Sequence, residues 1–475
     1  MLRRLQPLLW IGAIAGALWL IFPFGFPNYD TVYPLVWGGE LAHGVSPDYG
    51  APQPPTPHPL ADLWGVIATP LGAAGASIAT TVIAYLAVAA IGYLVYRLGA
   101  LWFDRAIGAV AAFLVLTRPE LLSDGLRAYI DLPYIALVLW ALVIETRRPR
   151  AGGSVLALLA VAGLLRPEAW LFSAAYLFYL VLELERGGGR FGVRRREGIT
   201  GRELGGWIAL AASAPLLWGA FDLVTTGDPL YSFTVTHQTV GTLERKTGPI
   251  ELLRYGPKAL AQALQWTGVV AAAAGLVLGL ALMRRRSLVG FCAAVLSGAA
   301  FAVLASSGLA IIPRYTLLAA AVLCVFCAVA LLGWRLLAGD NPWRRRWQLI
   351  AVAVFAILLI QGTQQYHFLS TVRNDLKSQS AIESDLHHLA DSGAFRPGCR
   401  PIAVPNHRGI PRLAAWLDQR PSSILSVTEQ HPPSHGYFLE PATPAVERHF
   451  ATAKVPPHFH RVARNESFVL YAHCG

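Results

Sequence analysis

The chain has 475 residues, of which 55% are apolar and only 14% are charged, with a mean hydropathy of +0.47. Soluble domains carry about a quarter charged residues, so this surface is too poor in charge to face water throughout. Disordered, disulfide-rich secreted and nucleic-acid-binding classes are disfavoured, and a polytopic membrane protein remains. The net charge of +11 is explained by where the basic residues stand.

A helix that crosses the hydrocarbon core needs about 20 apolar residues. Such runs occur at 5–24, 76–96, 106–117, 131–145, 152–165, 169–185, 205–224, 264–283, 288–311, 315–334 and 348–367. Three of them (106–117, 131–145 and 152–165) are short for a full crossing and read as tilted or shielded by neighbouring helices. The first run follows Arg3-Arg4 and exceeds the roughly 7–15-residue core of a signal peptide, so a retained first helix is expected. With the N-terminus inside, the inner segments hold 20 of the 39 Lys and Arg, including Arg147, Arg148, Arg150, Arg284, Arg285, Arg286, Arg344, Arg345 and Arg346. The outer segments before the tail hold 8. The positive-inside rule then predicts a multi-pass plasma-membrane protein with a cytoplasmic N-terminus and an extracytoplasmic C-terminal domain. Topology accounts for the charge without a nucleic-acid partner.

The expected fold is an all-α polytopic membrane domain over 1–367, with about 11 transmembrane helices, followed by a small α/β outer domain over 368–475. In that tail, 370–390 has an amphipathic helical period, 401–405 and 468–472 read as short strands, and 412–417 looks helical. Cys324 and Cys327 are spaced as CxxC inside an apolar run with no accompanying His or carboxylate, which suits packing better than metal. Cys399 and Cys474 both fall in an oxidising compartment and are candidates to pair.

The first outer loop, 25–62, has no Lys or Arg yet carries Asp30, Glu40, Asp48 and Asp62. Within it, Val32, Leu35, Val36 and Gly39 recur on a helical period, as in a helix lying in the interface plane. Asp30 closely follows the first run, so its carboxylate is expected at membrane-surface depth, where acidic residues usually serve a site. Capping of the following helix is the competing reading, and spacing alone leaves both open.

Other polar residues fall on the same side. Arg118, Arg127 and Asp131 frame the start of the fourth run, Arg166-Pro167-Glu168 interrupts an apolar stretch, and Arg314-Tyr315 opens the tenth run. A lone arginine at a helix end is often a snorkelling anchor. Outer arginines are scarce here, however, and arginine suits phosphate through two parallel hydrogen bonds. A ring of such arginines facing the acidic loop fits a lipid phosphate beside a catalytic carboxylate. Pairing of Glu168 with Arg166, and capping of the fourth helix by Asp131, stay open as structural alternatives.

Asn28-Tyr29-Asp30, an interfacial helix ending in Gly44, and a Pro-rich stretch closing with Pro57-His58-Pro59-Leu60 resemble one family in order and topology. It is the polytopic glycosyltransferases of the GT-C fold, which take sugars from polyprenyl-phosphate donors. Protein O-mannosyltransferases, the aminoarabinose transferases of lipid A and many actinobacterial sugar transferases belong there. The resemblance spans roughly residues 1–200. It implies that Asp30 is the catalytic base, with Tyr29 beside it at the substrate, and that Arg166 meets the donor phosphate. By the same match Asp131 is a second acidic residue of the site, and His58 stands where a lysine is common. Arg127, Arg314 and Glu168 complete the expected substrate-binding set, and Asp30, Arg166 and Asp131 are expected to share one cavity. The implied reaction is inverting transfer to a glycan, lipid or protein acceptor outside the membrane. Some relatives recruit a divalent cation through carboxylates, and Asp30 with Asp131 or Asp48 is the available set. A transporter or flippase of lipid-linked sugars is the alternative, but transporters usually carry internal repeats, and none is visible in this sequence.

Overall fold

The computed structural model describes residues 2–187 and 190–474, leaving the side chains of Arg3 and Arg4 outside the described residues. In chain order it forms α1 (Leu2–Ile21), α2 (Tyr29–Ala42), α3 (Pro59–Ala68), α4 (Gly72–Trp102), α5 (Arg105–Leu116), α6 (Pro119–Leu126), α7 (Asp131–Arg147), α8 (Gly153–Gly163) and α9 (Glu168–Val181). A hairpin of β1 (Leu182–Gly187) and β2 (Arg190–Arg195) follows. Then come α10 (Gly201–Thr226), α11 (Tyr231–Thr242), α12 (Pro249–Leu264), α13 (Trp266–Leu282), α14 (Arg284–Ser306), α15 (Leu317–Leu332), α16 (Trp343–Ile360) and α17 (Gly362–Asp391). The tail adds β3 (Ile402–Val404), α18 (Ile410–Leu417), β4 (Ile424–Ser426), β5 (Gly436–Pro441), α19 (Pro444–Phe450), β6 (His460–Arg464) and β7 (Phe468–His473).

Every apolar run falls mainly on helix, but the run at 348–367 is broken at Gln361 between α16 and α17, and those at 5–24 and 288–311 end as helices at Ile21 and Ser306. The run expected to reach 185 stops as a helix at Val181. Leu182-Glu183-Leu184-Glu185 alternates with a period of two, and pairs antiparallel with β2, so strand periodicity wins over bulk apolarity there. By length and composition, four stretches of the described residues suffice to cross a membrane: Pro59–Trp102, Gly201–Thr226, Arg284–Ser306 and Pro313–Leu336. Counting each of three bent pairs as one span, α5 with α6 (62°), α12 with α13 (94°) and α16 with α17 (43°), gives at most seven.

The chain divides into two compact units. The first comprises Met1–Pro23, Ala84–Gly125 and Ile130–Val372. Its central rod is α15, buried along almost its whole length. Lipid removes the hydrophobic drive between helices, so close backbone approach at small residues holds such bundles together. A Cβ on Gly275 of α13 would run into the backbone of Phe326 and Ala330 in α15, and one on Gly99 of α4 would meet Gly108 of α5.

The second unit comprises Phe24–Ile83, Leu126–Tyr129 and Arg373–Gly475. Its five-stranded sheet has the order β4-β3-β5-β7-β6, with β3 parallel to β4 and β5, and the β5–β7 and β7–β6 pairs antiparallel. Tyr33 and Trp37 of α2, both fully buried, belong to the same apolar core as Leu386, Ile410, Leu413, Tyr437 and Leu470 of the tail. First loop and tail thus fold as one body. Cys399 and Cys474 form a disulfide, closing the tail on itself.

Candidate functional site

In the second unit, Asn28 fixes the start of α2. Its side-chain oxygen accepts from the Thr31 N–H (3.3 Å), and its backbone and side-chain N–H groups both donate to the Arg127 carbonyl (2.8 Å each). Thr31 Oγ1 donates to the Ala128 carbonyl at 2.8 Å. Ala128 is held at φ 57°, the left-handed region that costs an L-residue about 1–2 kcal/mol, so surrounding bonds must enforce this turn. The N-cap is therefore Asn28, and Asp30 occupies the first helical turn, where a carboxylate is favoured by the positive end of the helix dipole.

The Tyr29 hydroxyl donates to the Gln53 carbonyl (2.8 Å) and lies 3.5 Å from the Tyr33 hydroxyl. Burial, and then the adjacent Tyr33, push the Tyr29 phenol well above its ordinary value, so it is a hydrogen-bonding group and no base. The imidazole of His407 meets the Tyr29 ring edge-on at 5.3 Å, while its Nδ1 lies 3.0 Å from Glu429 Oε1. His58 takes the N-cap position of α3 ahead of Pro59 and makes no side-chain cap bond. Arg127, besides lending its carbonyl to Asn28, donates from Nε to Gln379 Oε1 at 2.7 Å. Asp48 serves structure: Oδ1 accepts from Gly50 N (3.2 Å) and Oδ2 from Ser422 N (2.7 Å).

The first unit gathers the other expected residues. Arg166 Nη1 lies 3.1 Å from Asp131 Oδ1, and its Nη2 lies 2.5 Å from Glu168 Oε1. All three are buried. The guanidinium is 4.0 Å from the centre of the Tyr315 ring, and Arg314 approaches the same ring at 5.4 Å. No side chain caps α7 at Ile130, so Asp131 serves the ion pair. With two carboxylates against one guanidinium, the triad carries a formal charge of −1, and Arg166 has no positive charge to spare. Among the described residues no group of three His, Cys, Asp or Glu is placed to hold a metal ion.

Sequence reasoning missed Arg412 and gave Arg118 no partners. Arg412 of α18 pairs with Glu383 of α17 (Nε to Oε2, 2.6 Å) and also donates to the Pro27 carbonyl just before α2. Arg118, buried at 6% exposure, donates from Nε to the Leu114 carbonyl and from Nη1 to the Leu264 carbonyl and Gln265 Oε1, each at 2.9 Å. Arg412 is an isolated letter in its stretch, and only burial marks it out.

The helical bundle, the helical first loop and the mixed tail domain together have the fold of known membrane-protein structures. The solved structure of ArnT from Cupriavidus metallidurans bound to undecaprenyl phosphate superposes with a TM-score of 0.58 at 13% identity, over 98% of this chain and 98% of that one. ArnT in the apo state gives 0.53 at 14% identity, over 98% and 97%. No protein-family model and no curated protein matches the sequence.

Proposed function

We propose that this protein is an integral-membrane inverting glycosyltransferase. It moves a sugar from a polyprenyl-phosphate-linked donor to an acceptor on the extracytoplasmic side, with its N-terminus in the cytoplasm. The observation that carries the reading is a whole-chain fold shared with ArnT, combined with an Asp30 that leaves the capping of α2 to Asn28. Asp30 takes the proton from the acceptor hydroxyl as that oxygen attacks the anomeric carbon. A positioned base of this kind is worth about 10²–10⁴-fold. The donor leaves as a phosphate, so it requires charge stabilisation and no general acid. Arg127 and Arg314 are candidates for that work. Arg166 first satisfies Asp131 and Glu168, and meets a phosphate only if one of them lets go. The triad suits sugar hydroxyls, which accept and donate hydrogen bonds without needing a net charge.

The test uses purified protein in nanodiscs with an undecaprenyl-phosphate-linked sugar and an extract of cell-envelope acceptors. Wild type transfers the sugar with inversion, and Asp30→Asn is slowed by at least about 10²-fold. An Asp30→Asn protein as fast as wild type removes Asp30 as the base. Lipid-linked sugar that crosses proteoliposomes without transfer replaces the enzyme with a flippase.

A further inference from the structure

In the second unit, β3 lies between β4 and β5 and runs parallel to both. The chain leaves β3 through α18 for β4 on one side, and leaves β5 through α19 for β6 on the other. In open sheets of parallel strands, ligands settle outside the carboxyl ends where the exits part in this way. His407 stands three residues past the end of β3, and Glu429 three residues past the end of β4. Asn406 fixes the first of these turns, accepting from Arg408 N at 3.1 Å and donating to the His449 carbonyl at 3.2 Å. The second is fixed by Glu429 N, which donates to the Ser426 carbonyl at 3.1 Å. The start of α2 reaches the same edge, for the Tyr29 ring meets His407 at 5.3 Å and Asp30 is the next residue. After burial and Tyr33, the charges of Asp30 and Glu429 add to what keeps the Tyr29 phenol protonated, so both carboxylates bear on one hydroxyl.

The polar atoms left over define the ligand. Glu429 Oε1 lies 3.0 Å from His407 Nδ1 and holds the imidazole proton there, so Nε2 offers a lone pair. Among the described residues Nε2 has no hydrogen-bond partner. The His407 and Glu429 side chains are 23% and 25% exposed, enough for a ligand to reach them. Arg408, in the same turn, is engaged by the His449 carbonyl at 3.0 Å. Acceptor atoms beside two carboxylates suit a ligand that donates hydrogen bonds and carries no negative charge, as the hydroxyls of a neutral saccharide do.

We infer that this strand-end site is the acceptor subsite, where His407 Nε2 and the Glu429 carboxylate take hydrogen bonds from a neutral saccharide while another of its hydroxyls faces Asp30. Its role in transfer rests on the glycosyltransferase reading, whereas saccharide binding rests on the strand-end geometry alone. His407 and Glu429 position the acceptor, and the proton still goes to Asp30.

Binding of methyl glucoside, mannoside, galactoside and glucuronide is measured by saturation-transfer NMR on purified full-length protein in nanodiscs. Transfer kinetics are followed in parallel while the amount of envelope-extract acceptor is varied. Wild type binds at least one of the three hexosides, and binds the glucuronide more weakly than the glucoside. His407→Ala weakens hexoside binding about threefold to tenfold, the loss of one hydrogen bond. It raises the apparent acceptor KM in step, with kcat and the donor KM held within about twofold. His407→Gln, whose amide reaches the Nε2 position, recovers part of the loss and serves if the Ala variant does not fold. His460→Ala, on β6 at the far edge of the sheet, changes neither binding nor KM. A loss confined to kcat, as from a merely structural role, overturns the assignment. So does a glucuronide that binds as tightly as the glucoside, or a wild type that binds none of the hexosides. If wild type transfers sugar and His407→Ala keeps its acceptor KM, the subsite fails and the enzyme reading survives. If hexoside binding depends on His407 but wild type transfers nothing, the enzyme reading fails and the saccharide site survives.

Discussion

Asn28 accepts the Thr31 N–H at 3.3 Å, and this single bond separates the two things an acid at the head of α2 can do. Capping belongs to Asn28, so replacing the Asp30 carboxylate by an amide leaves the helix start intact. Asp30→Asn is expected to fold, losing about 0.3–1 kcal/mol of favourable interaction with the helix dipole, and to lose transfer by about 10²–10⁴-fold. Asn28→Ala removes the cap, costs about 0.5–2 kcal/mol, and lowers activity only as far as it loosens the turn that carries Asp30. Thermal unfolding and turnover measured on the same samples distinguish them. A strongly destabilised Asp30→Asn defeats this division of labour.

The Arg166 triad makes a prediction about stability. Removing one partner of a buried ion pair leaves an uncompensated charge, typically at a cost of 3–5 kcal/mol. Arg166→Gln leaves both Asp131 and Glu168 unmatched and is expected to lower the melting temperature sharply, with aggregation on purification. Neutralising all three (Arg166→Gln, Asp131→Asn, Glu168→Gln) restores folding because no lone charge remains. Unfolding curves for the single and triple variants check this. If the triple variant is no better than the single one, the charge balance is not what holds this region together.

How much of this was legible in the sequence depends on the range of each contact. Most helix positions follow from local apolar runs, but α6, α11 and α12 lie outside those runs and were not readable, and Glu183 and Glu185 impose a strand rhythm on the end of one. The Arg166–Glu168 pair is two residues apart and was an open alternative from the start. Its third member, Asp131, comes from a different helix, α7, and spacing alone did not join it. The aromatic face of α2 is the clearest case of missing information. An amphipathic period predicts a face that seeks apolar cover, and an interfacial helix satisfies it with lipid. Here Tyr33 and Trp37 are covered by Leu386, Ile410 and Leu413 of the tail, several hundred residues downstream, and no local pattern announces a partner so distant. Arg412 is hidden for the same reason.

The seam between α2 and α3 is narrow enough to test. A Cβ on Gly38 would strike the backbone of Gly65 and Val66, and one on Gly65 would strike the Pro34 carbonyl. Backbone atoms cannot swing aside like a side chain, so Gly38→Ala forces the two helices apart. Overpacking of this sort costs about 1–3 kcal/mol. Because α2 carries Asp30, Gly38→Ala is also expected to slow transfer, whereas Gly44→Ala, with open space around its Cβ, pays only for its φ of 73° and keeps the seam closed. Melting temperature and turnover of the two variants check the contrast. A Gly38→Ala protein indistinguishable from wild type refutes the close approach.

His449 supplies the pH prediction. Its imidazole is held below its usual range, first by partial burial and then by the guanidinium groups of Arg408 and Arg448. The folded protein therefore takes up the proton less readily than the unfolded chain. Wherever the unfolded state binds more protons, stability rises with pH. The second unit should thus gain stability as pH climbs toward the ordinary histidine value of about 6.5 and lose it on acidification below that value. The buried Glu383 carboxyl, held above its usual range by desolvation, works in the opposite sense at lower pH, so the wild-type profile alone is ambiguous. His449→Gln removes the histidine contribution and leaves that of Glu383. Melting temperatures at pH 7 and pH 5.5 are expected to differ more for wild type than for His449→Gln. Equal drops in the two proteins mean that protonation of His449 does not set the acid sensitivity of this unit.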